Sequence, residues 1–187
     1  MSLLTTPSQT VGPYLRIGFL PLVIDAIASA GTPGEKITVR GRMSDGEAKP
    51  IGDSVLEVWQ ADAQGKYAHP EDGQKAITAN AFRGFGRILT DGSGAFHFTT
   101  IKPGSVAGPD GTRQAPHLAV TVFMRGMQRH LFTRMYFPDE PLNATDPVLS
   151  RVPADRRGTL VAAASGRSIL DWNIVSQGSG ETVFFDF

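Results

Sequence analysis

The run Asp91-Gly92-Ser93-Gly94-Ala95-Phe96-His97-Phe98-Thr99-Thr100-Ile101 decides how the chain folds. It opens on a cluster of turn formers and then alternates, with Phe96 and Phe98 on the same side. Successive side chains of a strand point to opposite faces, so both phenylalanines share one face of residues 95–101. The same pattern extends in both directions. Towards the N-terminus, residues 36–42 alternate with Ile37 and Val39 on one face, and residues 55–60 are rich in β-branched and aromatic side chains. Towards the C-terminus, residues 116–124 and 130–137 read as strands around Arg125-Gly126, and residues 169–175 and 182–185 as strands around Gly178-Ser179-Gly180. Asp110-Gly111 reads as a hairpin turn. Short strands closed by turns, without strand–helix alternation, predict an all-β fold, an antiparallel β-sandwich with a few short helices.

Residues 1–15 contain Pro7, Gly12 and Pro13 and no hydrophobic period, which predicts an extended N-terminal arm. Over residues 19–30, Leu22, Val23, Ala26 and Ile27 recur at helical spacing until Gly31, predicting a short helix there. A broken helical pattern between Asp146 and Ala164 is interrupted by Pro153 and Gly158. The expected division is an arm and short helix over residues 1–30 and a β-sandwich domain over residues 31–187. Phe184 and Phe185 are adjacent and point to opposite sides of their strand, so either their own domain covers both faces or a second chain covers one.

Composition narrows the function. A length of 187 residues suits one domain. Lys and Arg number 18 and Asp and Glu 18, so no net charge remains to hold a phosphate backbone, and no nucleic-acid partner is expected. The absence of cysteine excludes disulfides, thiol catalysis and thiolate metal sites. No apolar run reaches the ~20 residues that cross a bilayer. Residues 19–28 are cut by Pro21 and Asp25 and lack the basic flank of a signal peptide, so no membrane partner and a cytoplasmic location are expected.

The histidines are His69, His97, His117 and His130, none paired at i,i+4 on a helix. Two ligands on one strand face must lie two apart, and the position that would complete such a pair with His117 is Ala119, a methyl group. Standing alone, His117 reads as a satisfied core residue. Tyr67, in Gly65-Lys66-Tyr67, reads as a packing residue after a strand. Arg125 reads either as a solvated loop charge or as a cation suited to a carboxylate.

Several stretches closely resemble the α subunits of the protocatechuate 3,4-dioxygenases, within the intradiol ring-cleaving dioxygenase family. They are Thr6-Pro7-Ser8-Gln9-Thr10 with Gly12-Pro13-Tyr14, and Leu56-Glu57-Val58-Trp59-Gln60-Ala61-Asp62-Ala63 with Gly65 and Tyr67. Phe85-Gly86-Arg87, Lys102-Pro103-Gly104, Ala115-Pro116-His117, Tyr136-Phe137 and the C-terminal Gly180-Glu181-Thr182-Val183-Phe184-Phe185-Asp186-Phe187 follow in order. Catalytic chains of that family hold ferric, non-haem iron with two tyrosinates and two histidines. Carried over, Tyr67 and His117 stand at the first-tyrosine and first-histidine positions, whereas the second positions read Val106 and Ala119. Gln114 stands where catalytic chains carry an arginine.

The resemblance thus implies a vestigial metal site, no catalytic residue on this chain, and ferric iron on a partner β subunit. It implies that Gly12, Pro13 and Arg125 line the partner's pocket for a small aromatic substrate and O2, in a higher-order α–β hetero-oligomer. The implied activity is ring opening of protocatechuate, by the complex only. Two rivals stand beside it: a homomeric intradiol dioxygenase for another catechol, against which Val106 and Ala119 speak, and a non-catalytic β-sandwich binding module.

Overall fold

The computed structural model describes residues 4–72 and 82–186; Phe187, the last residue of the C-terminal stretch quoted above, lies outside them. The described strands are β1 (Lys36–Ser44), β2 (Val55–Trp59), β3 (Phe85–Leu89), β4 (Ala95–Ile101), β5 (Val106–Ala107), β6 (Arg113–Gln114), β7 (His117–Phe123), β8 (Leu131–Tyr136), β9 (Ala163–Gly166), β10 (Ile169–Asp171) and β11 (Ile174–Val175). One sheet has the order β3-β2-β7-β8 and is antiparallel throughout. The other is built on β1, with β4 antiparallel on one edge and β10 and then β11 along the opposite edge. Ile37, Val39, Phe96, Phe98 and Ile174 of this sheet meet Leu56, Val58, Leu118, Val120 and Val122 of the first in one buried core. The fold is a β-sandwich.

The alternation read for residues 36–42 and 95–101 holds: Ile37, Val39, Phe96 and Phe98 are all buried. Between β3 and β4, Asp91 Oδ1 accepts from the backbone N–H of Ser93 and Ala95 and from the Ser93 hydroxyl. These donors hold the Asp91 carboxyl below the usual carboxylate range. The chain turns from one sheet to the other there, with Gly94 at a positive φ of 73°.

Three expectations need correction. Residues 19–30 are not a helix. The helix α1 lies earlier, at Pro13–Phe19, followed by a 3-10 turn at Leu20–Leu22, after which the chain is extended. Pro13 supplies a first-turn residue whose missing N–H costs nothing there. Beyond Val23, open strand edges outweigh helical spacing. The Ile24 N–H donates to Arg87 O of β3 and the Ile24 carbonyl accepts from the Arg87 N–H, while the Ile27 N–H donates to Thr99 O of β4. The segment therefore staples the two sheets, and Ile27 enters the core over Gly86, where a Cβ would sit 2.5 Å from its Cδ1.

Second, the sandwich is not wholly antiparallel, because β10 and β11 run parallel to β1. Residues 169–175 form two strands, since Trp172 and Asn173 leave the ladder between them. The Asn173 side-chain oxygen accepts the Arg42 N–H at 2.9 Å, and the buried Trp172 donates its indole N–H to Thr159 O. Third, residues 182–185 form no strand but a single bridge, Phe185 N–H to Phe132 O at 2.7 Å. Phe184 packs on the main core and Phe185 on a second, smaller one, so this chain itself packs against both faces. The strands β3, β5, β6 and β9 have no counterpart in the sequence reading. Among the described residues no helix is long and apolar enough to cross a membrane.

The second core gathers Ala115, Tyr136, Leu149, Val152 and Leu160 around Asp146, which has no exposed surface. Its carboxylate accepts from the backbone N–H of Ala115, Val148 and Leu149 and from the Tyr136 hydroxyl. It fastens the irregular segment that follows β8 to the start of β7. Removing one acceptor strands several buried donors at about 1–3 kcal/mol each. Asp146→Ala is expected to cost more than about 3 kcal/mol in urea unfolding. A loss under about 1 kcal/mol would show that water replaces the carboxylate at little cost.

Candidate functional site

The outer face of the β3-β2-β7-β8 sheet, away from the main core, carries the residues singled out in the sequence. Register fixes them in rows. Phe85, Trp59, Ala119 and Arg134 lie side by side across the four strands, and His117 is paired with Tyr136 in the next row. Tyr67 reaches this face from the loop after β2, its ring parallel to that of Trp59 with centroids 6.1 Å apart. Buried Gln60 anchors that loop, donating to Ile101 O and accepting from the Thr100 hydroxyl on the opposite sheet. The turn then presses on Gly104–Ser105. Gly65 has φ 81°, and a Cβ there would lie 2.0 Å from Ser105 O, so only glycine fits. That contact brings Val106 beside Tyr67.

A cavity of about 550 Å³ opens there, lined by Trp59, Tyr67, His69, Asp72 and Val106 among others. Tyr67 and Val106 therefore share one pocket, while His117 and Ala119 lie on the sheet beside it. His117 is buried, and its Nδ1 is 2.7 Å from Ala115 O. Arg134 is half-buried and donates to Gln114 Oε1 at 2.7 Å. Burial raises the pKa of Tyr67 and Tyr136 and lowers that of His117, and the positive charge of Arg134 lowers all three. Sequence reasoning missed Arg134. Alternation alone puts it on the same strand face as Phe132 and Tyr136, but only the pairing with β7 shows that it faces Ala119.

The donor set does not fit ferric iron. A hard trivalent ion needs anionic oxygen and several donors, but Val106 and Ala119 present only hydrocarbon. Burial raises the Tyr67 phenol above its ordinary range, so a phenolate there would form only beside a cation. Among the described residues, no group of three or more His, Cys, Asp or Glu side chains is poised to bind a metal.

Arg125, Gly12 and Pro13 form a separate group at the far end of β7. The Gly126 N–H donates to Thr10 Oγ1 at 2.7 Å, drawing the arm onto the turn that carries Arg125. Gln9 and Val11 line a cleft of about 200 Å³ with Met124, Met127 and Arg129. Gly12 and Pro13 are exposed, and Gly12 caps α1. Arg125 is 61% exposed and paired with Asp53. From His117 to Phe123 the strand rises ~20 Å, so this group lies well away from the Tyr67 pocket.

His117 yields a pH prediction. Burial, reinforced by Arg134, pulls it down to about 4, against an opposing pull from the Ala115 carbonyl and Asp146. Unfolding returns it to about 6.5, so between these values the unfolded chain binds more protons. Stability is full above pH ~6.5 and falls as pH drops towards ~4, by up to about 1.4 kcal/mol per pH unit. Urea midpoints from pH 7 to 4.5 are expected to drop more steeply for the native chain than for His117→Gln. Parallel curves would show that the imidazole is not held neutral.

Comparison with known proteins places this geometry in a lineage. A family model described as "Dioxygenase" matches residues 24–178. The protocatechuate 3,4-dioxygenase α chain of Burkholderia cepacia is 41% identical over 97% of this chain and 96% of its own length. The β chain from the same organism is 37% identical over 77% of this chain and 62% of its own. Among solved structures, the dioxygenase domain of a carbohydrate-binding fusion protein from Streptomyces sp. SirexAA-E superposes with a TM-score of 0.62 at 25% identity, covering 83% of this chain and 88% of that one. With its sandwich, its outer-face pocket and these relatives, the chain belongs to the intradiol ring-cleaving dioxygenase family.

Proposed function

We propose that this chain is the α subunit of a protocatechuate 3,4-dioxygenase and works only in complex with an iron-bearing β subunit. The reaction opens the ring of 3,4-dihydroxybenzoate between its two hydroxylated carbons to give 3-carboxy-cis,cis-muconate. Both atoms of O2 enter the product, so no external reductant is needed. Ferric iron on the β chain supplies activation of the catechol towards oxygen. The task of this chain is to complete the substrate pocket.

The observation that carries the reading is the separation of the two groups on β7. Arg125 lies ~20 Å along β7 from this chain's own pocket, too far to serve a substrate bound there, and Thr10 of the arm is hydrogen-bonded to Gly126 beside it. They are exposed, and α1 beside them buries none of its residues within this chain. Tyr14 is 82% exposed, and Ile17, Leu20 and Leu22 stand about half exposed along the same segment. Such a run of apolar surface suits contact with another chain. Arg125 then offers the substrate carboxylate a guanidinium fork, which in this chain is paired with Asp53. The arm adds backbone and a rigid pyrrolidine ring to the wall around the aromatic ring. In cellular terms the reading is of a cytoplasmic hetero-oligomer of α and β chains.

Two results test it in the complex with the β chain. Arg125→Ala is expected to raise KM for protocatechuate roughly tenfold or more, the equivalent of a lost charge-assisted hydrogen bond, with little change for uncharged catechols. Equal loss for both substrates would show that the charge does not meet the carboxylate. Deletion of residues 1–14 is expected to impair turnover of the complex while the chain keeps its melting temperature, because described residues 4–14 include none that is buried. Full activity after deletion would remove the arm from the pocket, and turnover by this chain alone would refute the division of labour.

A further inference from the structure

The outer-face row contains a residue with no part in the proposed task. Arg134 stands on β8 directly opposite Ala119, so their Cβ atoms are nearest cross-strand neighbours. The methyl group at 119 leaves open the volume that a larger side chain on β7 would fill. Tyr136, two residues on, faces the same way opposite His117. The guanidinium is fixed by Gln114 Oε1 at 2.7 Å, on the short β6 strand that pairs with Val106 of β5. It is thus tied to the positions around the pocket: to Gln114 by a hydrogen bond, to Ala119 by register, and to Tyr67, His117 and Tyr136 through its charge.

We infer that Arg134 is a built-in cation that takes the place of a metal ion in this chain, so that the pocket excludes ferric iron actively and does not merely lack two ligands. A guanidinium stays charged at every physiological pH, and in a half-buried setting its repulsion of a trivalent ion is weakly screened. The groups in contact with it are those a cation would be expected to satisfy: the Gln114 side-chain amide oxygen and the Tyr136 hydroxyl. Arg134 holds them together in the absence of a metal, which gives a lost centre a structural use. This inference rests on the reading that catalytic relatives hold iron at the positions of Tyr67, Val106, His117 and Ala119.

The test rebuilds the ligands with and without the arginine. Full-length Val106→Tyr/Ala119→His and the same chain with added Arg134→Gln are loaded with ferric iron, their folding checked by circular dichroism and melting. Iron per chain and visible tyrosinate-to-iron absorption are then measured. The triple variant is expected to hold roughly tenfold more iron than the double, with the coloured band confined to it. Equal iron in both would overturn the inference, as would a folded triple variant without iron. Should the triple variant fail to fold, single substitutions decide: Arg134→Met is expected to lower the melting temperature by several degrees and Arg134→Lys to retain most of it. A Met variant as stable as the native chain would overturn the built-in cation. Stoichiometric iron in the unaltered chain would instead sink the reading under Proposed function, so the two failures are distinguishable.

Discussion

The alternation of side chains along β7 is the constraint on which the rest depends. Leu118, Val120 and Val122 point inward and are almost completely buried, while His117, Ala119 and Thr121 point outward. Pairing with β2 and β8 extends this division across the sheet, aligning Trp59, Ala119 and Arg134 in one row. A slip of one residue would send the imidazole into hydrocarbon and the valines to the surface, so the core holds the register of the outer face. The pocket is positioned by residues that never touch it.

The loops at the two ends of β7 then acquire different tasks. At its start, Gly65, Gln60 and Asp146 bind irregular segments tightly, by close approach and by buried hydrogen bonds. At its end, a hydrogen bond from Gly126 to Thr10 and the ion pair of Arg125 with Asp53 lie near the surface. Exposed pairs of this kind contribute roughly 0–1 kcal/mol, so this end can rearrange at small cost when a second surface arrives. The rigid end holds the Tyr67 pocket, and the adaptable end holds Arg125 and the arm proposed to meet a partner.

The fold was legible where alternation was strong and bounded by turns. Residues 95–101 and 36–42 needed no tertiary information, because Phe96, Phe98, Ile37 and Val39 already mark the buried face. Local spacing failed where backbone pairing outweighed it. Leu22, Val23, Ala26 and Ile27 satisfy a helical period, yet the free edges of β3 and β4 draw residues 23–27 into extended pairing. Short strands such as Val106–Ala107 carry too little pattern to read, being defined only by their partners. Of the site, Tyr67, His117, Val106 and Ala119 could be identified by resemblance, but Arg134 required the cross-strand register. A charge within a strand says nothing of what it faces until its neighbour is known.

The same separation of faces explains how, on the proposed reading, such a chain can lose a reaction centre without losing its fold. Val106 is buried in the pocket wall, where an apolar side chain is cheap, and Ala119 lies on the outer face, where the main core does not depend on it. Neither change touches the packing of Leu118, Val120 or Val122 against the opposite sheet. The polar groups of that face are satisfied within the chain, His117 Nδ1 lying 2.7 Å from Ala115 O and the Tyr136 hydroxyl donating to Asp146. The half-buried Arg134 on the adjacent strand is held there at modest cost, because Gln114 and partial exposure share its solvation. On the proposed reading, the inward face holds the sandwich together whatever the outward face carries, and the far end of β7 is left free to be shaped by contact with another subunit.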